Sequence, residues 1–157
     1  AQDGLDVTLI TVHNDDDLVV PQLAAAGVTV INLNEAVRPA SAPHAATPMK
    51  TRLRADGQTL LMLDWAAPAS APPPLTLIAR QALEGATAIL VSDYGRGLVA
   101  AQDVQAVVAS VAGRVPVVWD PHPLGPRPVP GVTVATPNQR ERLTSSGGSR
   151  PVDSMRT

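Results

Sequence analysis

The 157-residue sequence predicts an α/β fold, and three features of its pattern support that class. Short runs of β-branched and apolar residues alternate with segments in which apolar residues recur at helical spacing. Such alternation is typical of a parallel sheet covered by helices on both faces. Polar residues also follow three successive predicted strands, at the edge where open α/β sheets bind their ligands. We therefore expect a layered α/β domain with a site at that edge.

Composition excludes several classes of protein. A net charge of −2 gives no basis for a general affinity for nucleic acid. The sequence has no cysteine, which excludes a disulfide scaffold and a thiolate zinc site. No apolar run approaches the roughly 18–20 residues that span a bilayer, and the first residues lack the features of a signal peptide. We therefore expect a cytoplasmic protein without a membrane partner.

The first part of the chain predicts a strand–helix–strand unit. Residues 6–12 and 28–32 have the composition of buried strands, and residues 18–26 have helical spacing that ends at Gly27. The three acids at 15–17 precede the helix. They can be interpreted as a metal site or as an N-terminal cap with acidic residues in the first turn, and the capping preference favours the second interpretation.

Residues 49–65 predict a β-hairpin, because two alternating segments flank Asp56-Gly57, the strongest short hairpin signal in the chain. The alternation places three cations on one face of the first strand: Lys50, Arg52 and Arg54. A cationic face of this kind is either simply solvated or a binding surface for a sugar phosphate. Lys50 is the only lysine in the sequence, which favours a binding role at that position.

The second half predicts, in order, a helix, a strand, a helix and two further strands at 75–84, 88–92, 99–111, 115–119 and 132–136. Each of the three strands runs into a polar cluster: Asp93-Tyr-Gly-Arg-Gly97, Asp120-Pro-His122 and Asn138-Gln-Arg-Glu141. An acid, an arginine and two glycines after a strand can bind a phosphate, although a capped turn has the same composition. Asn138-x-x-Glu141 places an amide and a carboxylate one helical turn apart, which suits a Mg²⁺-bound water and a nucleotide phosphate but also occurs by chance.

Four motifs of the chain resemble, in order, those of the ribokinase (PfkB) carbohydrate kinases. They are Thr-Pro-Met-Lys-Thr-Arg at 47–52 with Gln-x-Leu-Leu-x-Leu-Asp at 58–64, Leu-Val-Ser-Asp-Tyr-Gly-Arg-Gly at 90–97, Val-Val-Trp-Asp-Pro at 117–121 and Thr-Pro-Asn-x-x-Glu at 136–141. The resemblance is greatest to the heptose-7-phosphate kinase half of the bifunctional ADP-heptose synthesis enzymes. It implies that residues 1–143 form an incomplete ribokinase-like three-layer α/β/α sandwich, with a lid-like antiparallel strand pair at about 48–65. Members of the family often form homodimers through this pair, and residues 144–157 resemble no part of the family and are expected to be a disordered tail.

The resemblance also implies a function, namely ATP-dependent phosphoryl transfer to a hydroxyl of a sugar phosphate, with Mg²⁺. It assigns Asn138, Gln139, Arg140 and Glu141 to the nucleotide phosphates, with Glu141 serving the metal. It assigns the sugar-phosphate side of the site to Lys50, Arg52, Asp93, Arg96 and Asp120.

Three departures from the family pattern limit this expectation. The family's catalytic base lies in a Gly-Ala-Gly-Asp segment, which is absent from these 157 residues. His122 stands where the family has a lysine after Asp-Pro, and Arg96 stands where it usually has lysine. We therefore assign no catalytic residue and expect negligible kinase activity from this chain. The alternative is a non-catalytic kinase-like fragment that binds sugar phosphate or nucleotide, or associates with another chain.

Overall fold

The computed structural model describes residues 4–13, 19–36, 49–65 and 71–136, and this part of the chain confirms the α/β class. The strands are β1 (Val7–Thr11), β2 (Val28–Asn32), β3 (Met49–Ala55), β4 (Gln58–Trp65), β5 (Ile89–Ser92), β6 (Val117–Asp120) and β7 (Val134–Ala135). The helices are α1 (Val19–Ala25), α2 (Leu77–Glu84) and α3 (Gln102–Val111), with short 3₁₀ turns at Leu33–Ala36 and Leu98–Ala100. Within these described ranges, no helix combines the length and apolar character needed to cross a membrane.

The described strands form three sheets. β1 and β2 are parallel, β3 and β4 are antiparallel, and β5, β6 and β7 form a parallel sheet in that order. The sheets share no strand. The continuous three-layer sandwich expected from the resemblance therefore stays a prediction.

The β1–β2 pair is held together at its carboxyl end by the buried side chain of Asn32. Its Oδ1 accepts from the backbone N–H of His13 at 3.2 Å and of Asn34 at 3.1 Å, while its Nδ2 donates to the His13 carbonyl at 3.1 Å. A buried amide satisfied on both atoms fixes the register of the two strand ends. The acids at 15–17 lie outside the described residues, so both interpretations of them stay open.

The predicted hairpin is confirmed, and its turn has the geometry that Asp-Gly favours. Both central residues have positive φ, 48° at Asp56 and 76° at Gly57, as a type I′ turn requires. The register shifts by one residue between Leu53 and Arg54, so that Leu60 of β4 lies in a bulge. Several large apolar side chains of the hairpin are exposed, among them Leu61 and Met62.

The core of the chain lies between one face of the β5–β7 sheet and the helices α2 and α3. Val91 of β5 and Val117 and Trp119 of β6 pack against α3 residues Val108 and Val111. Leu83 of α2 and Ala86 and Val104 pack against the same cluster. Both helices therefore cover one face of this sheet.

In the described part of the chain, the opposite face of the β5–β7 sheet is partly exposed, so the expectation that helices cover both faces stays a prediction. Leu90, Val118 and Val134 are paired across the three strands and form a row on this face. Leu90 is 70% exposed and Val134 is 47% exposed, whereas Val91 on the other face is only 8% exposed. The alternation of side chains along the strands thus places one apolar row in the core and another on the surface.

Two element boundaries differ from the predicted ones for local reasons. The helix predicted at 99–111 begins with the 3₁₀ turn, after which Ala101 is extended (φ −62°, ψ 131°) and α3 starts at Gln102. Asp103 in its first turn accepts from the backbone N–H of Leu75 at 2.6 Å and thereby joins the connection before α2 to the start of α3. β7 has two residues instead of five, and before its first residue the backbone N–H of Val117 donates to the side chain of Thr133 rather than to a strand carbonyl.

Candidate functional site

The candidate site lies at the carboxyl edge of the β5–β7 sheet, where the ends of the three strands are joined by hydrogen bonds. The backbone N–H of Asp93 donates to the carbonyl of Asp120 at 2.9 Å, and that of Thr136 donates to the carbonyl of Trp119 at 2.9 Å. The Thr136 hydroxyl also donates to Oδ1 of Asp120 at 3.1 Å. Two of the predicted site residues, Asp93 and Asp120, are therefore adjacent across neighbouring strands.

Asp120 presents an exposed carboxylate at this edge, because it is the last residue of β6 and its side chain points away from the core. Only Oδ1 has a hydrogen-bond partner among the described residues, the hydroxyl of Thr136. A carboxylate can accept about four hydrogen bonds. Asp120 is therefore free to accept from a hydroxyl group or a metal-bound water of a ligand.

Asp93 differs from Asp120 in that its carboxylate is buried. Its Oδ1 accepts from the backbone N–H of Gly95 at 2.8 Å and so closes the turn that follows β5. Its Oδ2 is buried and has no hydrogen-bond partner within the part of the chain that the structure describes. Buried carboxylate oxygens normally have partners, so an unpaired one at a strand end is typical of a functional site rather than of a core.

Two loops contact each other above the sheet edge: the β5 loop, residues 93–97, and the β6 loop, residues 121–126. A Cβ atom added to Gly95 would lie 2.6 Å from Nδ1 and Cε1 of His122, so the imidazole ring rests on this glycine. A Cβ added to Gly125 would overlap Oδ2 of Asp93. Each loop thus places a side chain against a glycine of the other, and we call this arrangement the crossed contact.

Arg96 lies in the β5 loop between two glycines in the left-handed region, Gly95 at φ 68° and Gly97 at φ 91°. Such a backbone is open to glycine at little cost and strained for most other residues. The arginine is half-buried and takes part in an interaction with the rest of the molecule. The loop therefore places Arg96 three residues after Asp93, in the segment that follows β5 at the sheet edge.

The other predicted substrate residues lie on a separate sheet. Lys50 and Arg52 are exposed on β3, opposite Asp64 and Met62 of β4 in the strand register. The β3–β4 hairpin shares no strand pairing with the β5–β7 sheet. A role for these two cations in the same site therefore stays a prediction.

The predicted nucleotide and metal residues, Asn138, Gln139, Arg140 and Glu141, lie outside the described residues. In the ranges that the structure does describe, no group of three or more acidic or imidazole side chains is arranged to hold a metal ion. The assignment of Mg²⁺ to Glu141 stays a prediction.

Three residues at this edge were not assigned to the site from the sequence. Thr136 begins the motif Thr-Pro-Asn-x-x-Glu and His122 directly follows the motif that ends in Asp-Pro, so their position at strand ends could have indicated them. Gly125 has no comparable signal, because only its contact with Asp93 distinguishes it from an ordinary loop glycine.

Comparison with known proteins identifies homologues of this chain. A protein from Streptomyces coelicolor, "Bifunctional protein HldE", is 40% identical to the chain over 144 residues, which is 90% of this chain and 28% of that protein. The chain is homologous to part of HldE. Two HldE proteins from Vibrio vulnificus, strains CMCP6 and YJ016, are 34% identical over 102 residues, which is 63% of this chain and 21% of each protein.

The match to HldE confirms the resemblance to bifunctional enzymes that the four motifs predicted. The chain spans 28% or less of the length of these HldE proteins. No family model matches the chain, and no solved structure matches it.

Proposed function

We propose that this chain is part of the kinase domain of an HldE-like enzyme and contributes to binding a heptose phosphate and ATP. The observation that carries the proposal is the meeting of Asp93, Asp120 and Thr136 at one sheet edge in a chain homologous to HldE. The carboxyl edge of a parallel sheet is the usual ligand site in α/β folds. Residues 1–143 would then be an incomplete ribokinase-like sandwich, residues 144–157 would lie outside it, and the use of ATP would locate the protein in the cytoplasm.

The proposed division of roles follows the chemistry of each side chain. Asp120 accepts hydrogen bonds from hydroxyl groups of the sugar, and Arg96 pairs with a phosphate. Lys50 and Arg52 hold the phosphate of the sugar from the β3–β4 hairpin. The segment 138–141 serves the nucleotide phosphates, where Glu141 would help to hold Mg²⁺, an ion that neutralises charge on a transferring phosphoryl group.

The first prediction is that the isolated chain binds these ligands without turning them over, because the Gly-Ala-Gly-Asp segment, in which the family resemblance locates the catalytic base, does not occur in these 157 residues. Calorimetric titration with heptose 7-phosphate and with MgATP should detect binding, and a coupled ADP-release assay should detect no turnover. An Asp120→Asn variant keeps the shape of the side chain but removes its charge, and should weaken binding of heptose 7-phosphate. Turnover at an ordinary kinase rate of about 1–100 s⁻¹ would show that a base is present after all.

A second candidate is a non-catalytic protein that binds these ligands or associates with another chain. The exposed apolar side chains of the β3–β4 hairpin, Leu53, Leu61 and Met62, favour association, and we propose a homodimer through residues 49–65. Binding of either ligand without turnover is compatible with this candidate as well. If the chain bound neither heptose 7-phosphate nor MgATP, the result would contradict ligand binding both in the kinase proposal and in this second candidate.

A further inference from the structure

The imidazole of His122 is held in one orientation by two contacts. Its Nδ1 accepts a hydrogen bond from the backbone N–H of Leu124 at 3.2 Å. A nitrogen that accepts a hydrogen bond carries no proton, so the neutral ring carries its proton on Nε2. The ring also rests on Gly95, and Nδ1, Cε1 and Cγ are the atoms nearest to that glycine. The edge of the ring that carries Nε2 therefore lies farther from Gly95.

The Nε2–H group of His122 is the remaining polar function of this side chain. Among the residues that the structure describes, Nε2 has no hydrogen-bond partner, and it is not one of the buried unpaired atoms. The group is therefore an oriented donor that reaches solvent at the edge where Asp93 and Asp120 lie. The carboxylates of Asp93 and Asp120 at this edge are hydrogen-bond acceptors, so the Nε2–H group adds a donor of fixed direction to them.

We propose that His122 is a ligand-binding residue that presents Nε2–H to an oxygen atom of the bound sugar phosphate. This inference rests on the proposed function. It adds a hydrogen-bond donor, His122, to a site in which Asp120 is proposed as a hydrogen-bond acceptor. Asp120 accepts hydrogen bonds from the ligand, and His122 donates one to it. The oxygen belongs either to the phosphate, which is a charged acceptor, or to a hydroxyl of the sugar, which is a neutral one.

Two substitutions separate ligand contact from a purely structural role of the ring. In His122→Gln the amide nitrogen can take the place of Nε2–H, but the acceptor for Leu124 is lost. In His122→Asn the amide oxygen can take the place of Nδ1 and accept from Leu124, but the donor at Nε2 is lost. Direct ligand contact predicts that His122→Gln binds heptose 7-phosphate nearly as well as the wild type. It also predicts that His122→Asn and His122→Leu bind more weakly, by about three- to tenfold if the acceptor is a sugar hydroxyl and by more than about tenfold if it is the phosphate.

The same variants test the opposite possibility. If His122 only supports the β5 loop, His122→Asn should keep wild-type affinity and His122→Gln should lose it, which would overturn the proposal. Circular dichroism and thermal unfolding of each variant identify any loss of affinity that reflects loss of fold. Wild-type affinity in all three variants would overturn the role of His122 and leave the proposed function intact, whereas a wild type that binds neither heptose 7-phosphate nor MgATP would overturn both.

Nitrogen NMR of the full chain labelled with ¹⁵N-histidine gives a readout that does not depend on affinity. We expect a pyridine-type Nδ1 and a pyrrole-type Nε2 for His122, assigned by comparison with His122→Gln, and a shift of the Nε2–H signal on addition of heptose 7-phosphate. Parallel additions of inorganic phosphate and of unphosphorylated heptose show which oxygen accepts the bond. A proton on Nδ1, or no shift in a chain that binds heptose 7-phosphate, would contradict the proposal.

Discussion

At the scale of single residues, the crossed contact is the feature with the sharpest consequence. Gly125 has no side chain, and the space that a Cβ would fill is taken by Oδ2 of Asp93. His122 occupies the corresponding space beside Gly95. The two glycines differ, because Gly95 has a positive φ whereas no left-handed backbone is present at Gly125. At Gly125 the requirement for glycine is therefore steric alone.

We predict that Gly125→Ala lowers the free energy of unfolding by about 1–3 kcal/mol, because the new methyl group must displace the Asp93 carboxylate. Urea denaturation followed by circular dichroism measures this loss. In an Asp93→Ala background the same substitution should cost less, since the oxygen that it meets is gone.

Gly85→Ala is the matched control for this prediction. Gly85 follows α2 with φ −91° and ψ −4°, a conformation that alanine adopts, and the nearest atom to an added Cβ is the Gln81 carbonyl at 3.2 Å. The control should therefore destabilise the chain less than Gly125→Ala does. If Gly125→Ala lowered the free energy of unfolding equally in the wild-type and Asp93→Ala backgrounds, the added methyl group would not be in steric conflict with Asp93.

The sequence predicted which site residues lie at strand ends, but it did not predict which of them are buried. Asp93 and Asp120 follow predicted strands, so their meeting at one edge follows from the parallel order of β5 and β6. The burial of Asp93 could not be predicted, because it depends on Gly125, thirty-two positions away in the sequence and on a different loop. Contacts between loops depend on tertiary packing that local composition does not determine.

At the scale of elements, β7 is joined to β6 by a side chain as well as by the backbone. The backbone N–H of Val117, a residue with no exposed surface, donates to Oγ1 of Thr133 at 3.0 Å. The Thr133 N–H donates in return to the Val117 carbonyl at 2.9 Å. The hydroxyl of Thr133 thus satisfies a buried donor that a regular strand would have satisfied with a carbonyl.

We predict that Thr133→Val destabilises the chain by about 1–3 kcal/mol, because it leaves the buried N–H of Val117 without an acceptor. Thr133→Ser retains the hydroxyl and should stay close to wild type. Urea denaturation of both variants measures the difference, and hydrogen exchange at the Val117 amide locates it. Equal stability of the valine and serine variants would mean that another group accepts from Val117.

The elements themselves were largely predictable, since periodicity and turn residues are local signals. The hairpin followed from Asp56-Gly57, whose positive φ values the structure confirms. The short β7 and the late start of α3 were not predicted, because the periodicity of apolar residues continues through both boundaries. In the structure, Val117 bonds to the side chain of Thr133 before β7, and the extended Ala101 separates the 3₁₀ turn from α3.

At the scale of the whole molecule, the β5–β7 sheet has one covered and one exposed face. Parallel sheets usually carry helices on both faces, because their strands are apolar throughout. Here Leu90 and Val134 are exposed and Val118, which lies between them, is half-buried. Because exposed apolar patches favour association, we expect this face to associate in solution.

We predict that Leu90→Gln changes the free energy of unfolding by less than about 0.5 kcal/mol and lowers self-association, because the side chain is 70% exposed. Val91→Gln, one position later and 8% exposed, should cost at least about 2 kcal/mol by burying an amide in the core. Urea denaturation gives the stabilities, and light scattering over a range of concentrations gives the association. A large loss of stability in Leu90→Gln would show that this face is covered.

The sequence alone does not determine which face of the β5–β7 sheet α2 and α3 cover. Strand composition is apolar on both sides of β5, as in Ile89, Leu90 and Val91, so the pattern alone favours two covered faces. Which face the helices choose depends on their packing, and both α2 and α3 contribute to the same core cluster.

The crossed contact also restricts which residues can occur at these positions in homologous proteins. A larger residue at 125 requires a smaller one at 93, and a side chain at 95 requires a smaller one at 122 as well as a residue that tolerates positive φ. These positions should therefore change in pairs as related sequences diverge. In a set of homologues, we expect glycine at 125 wherever an acid stands at 93, and loss of the ring at 122 to relax the steric requirement at 95.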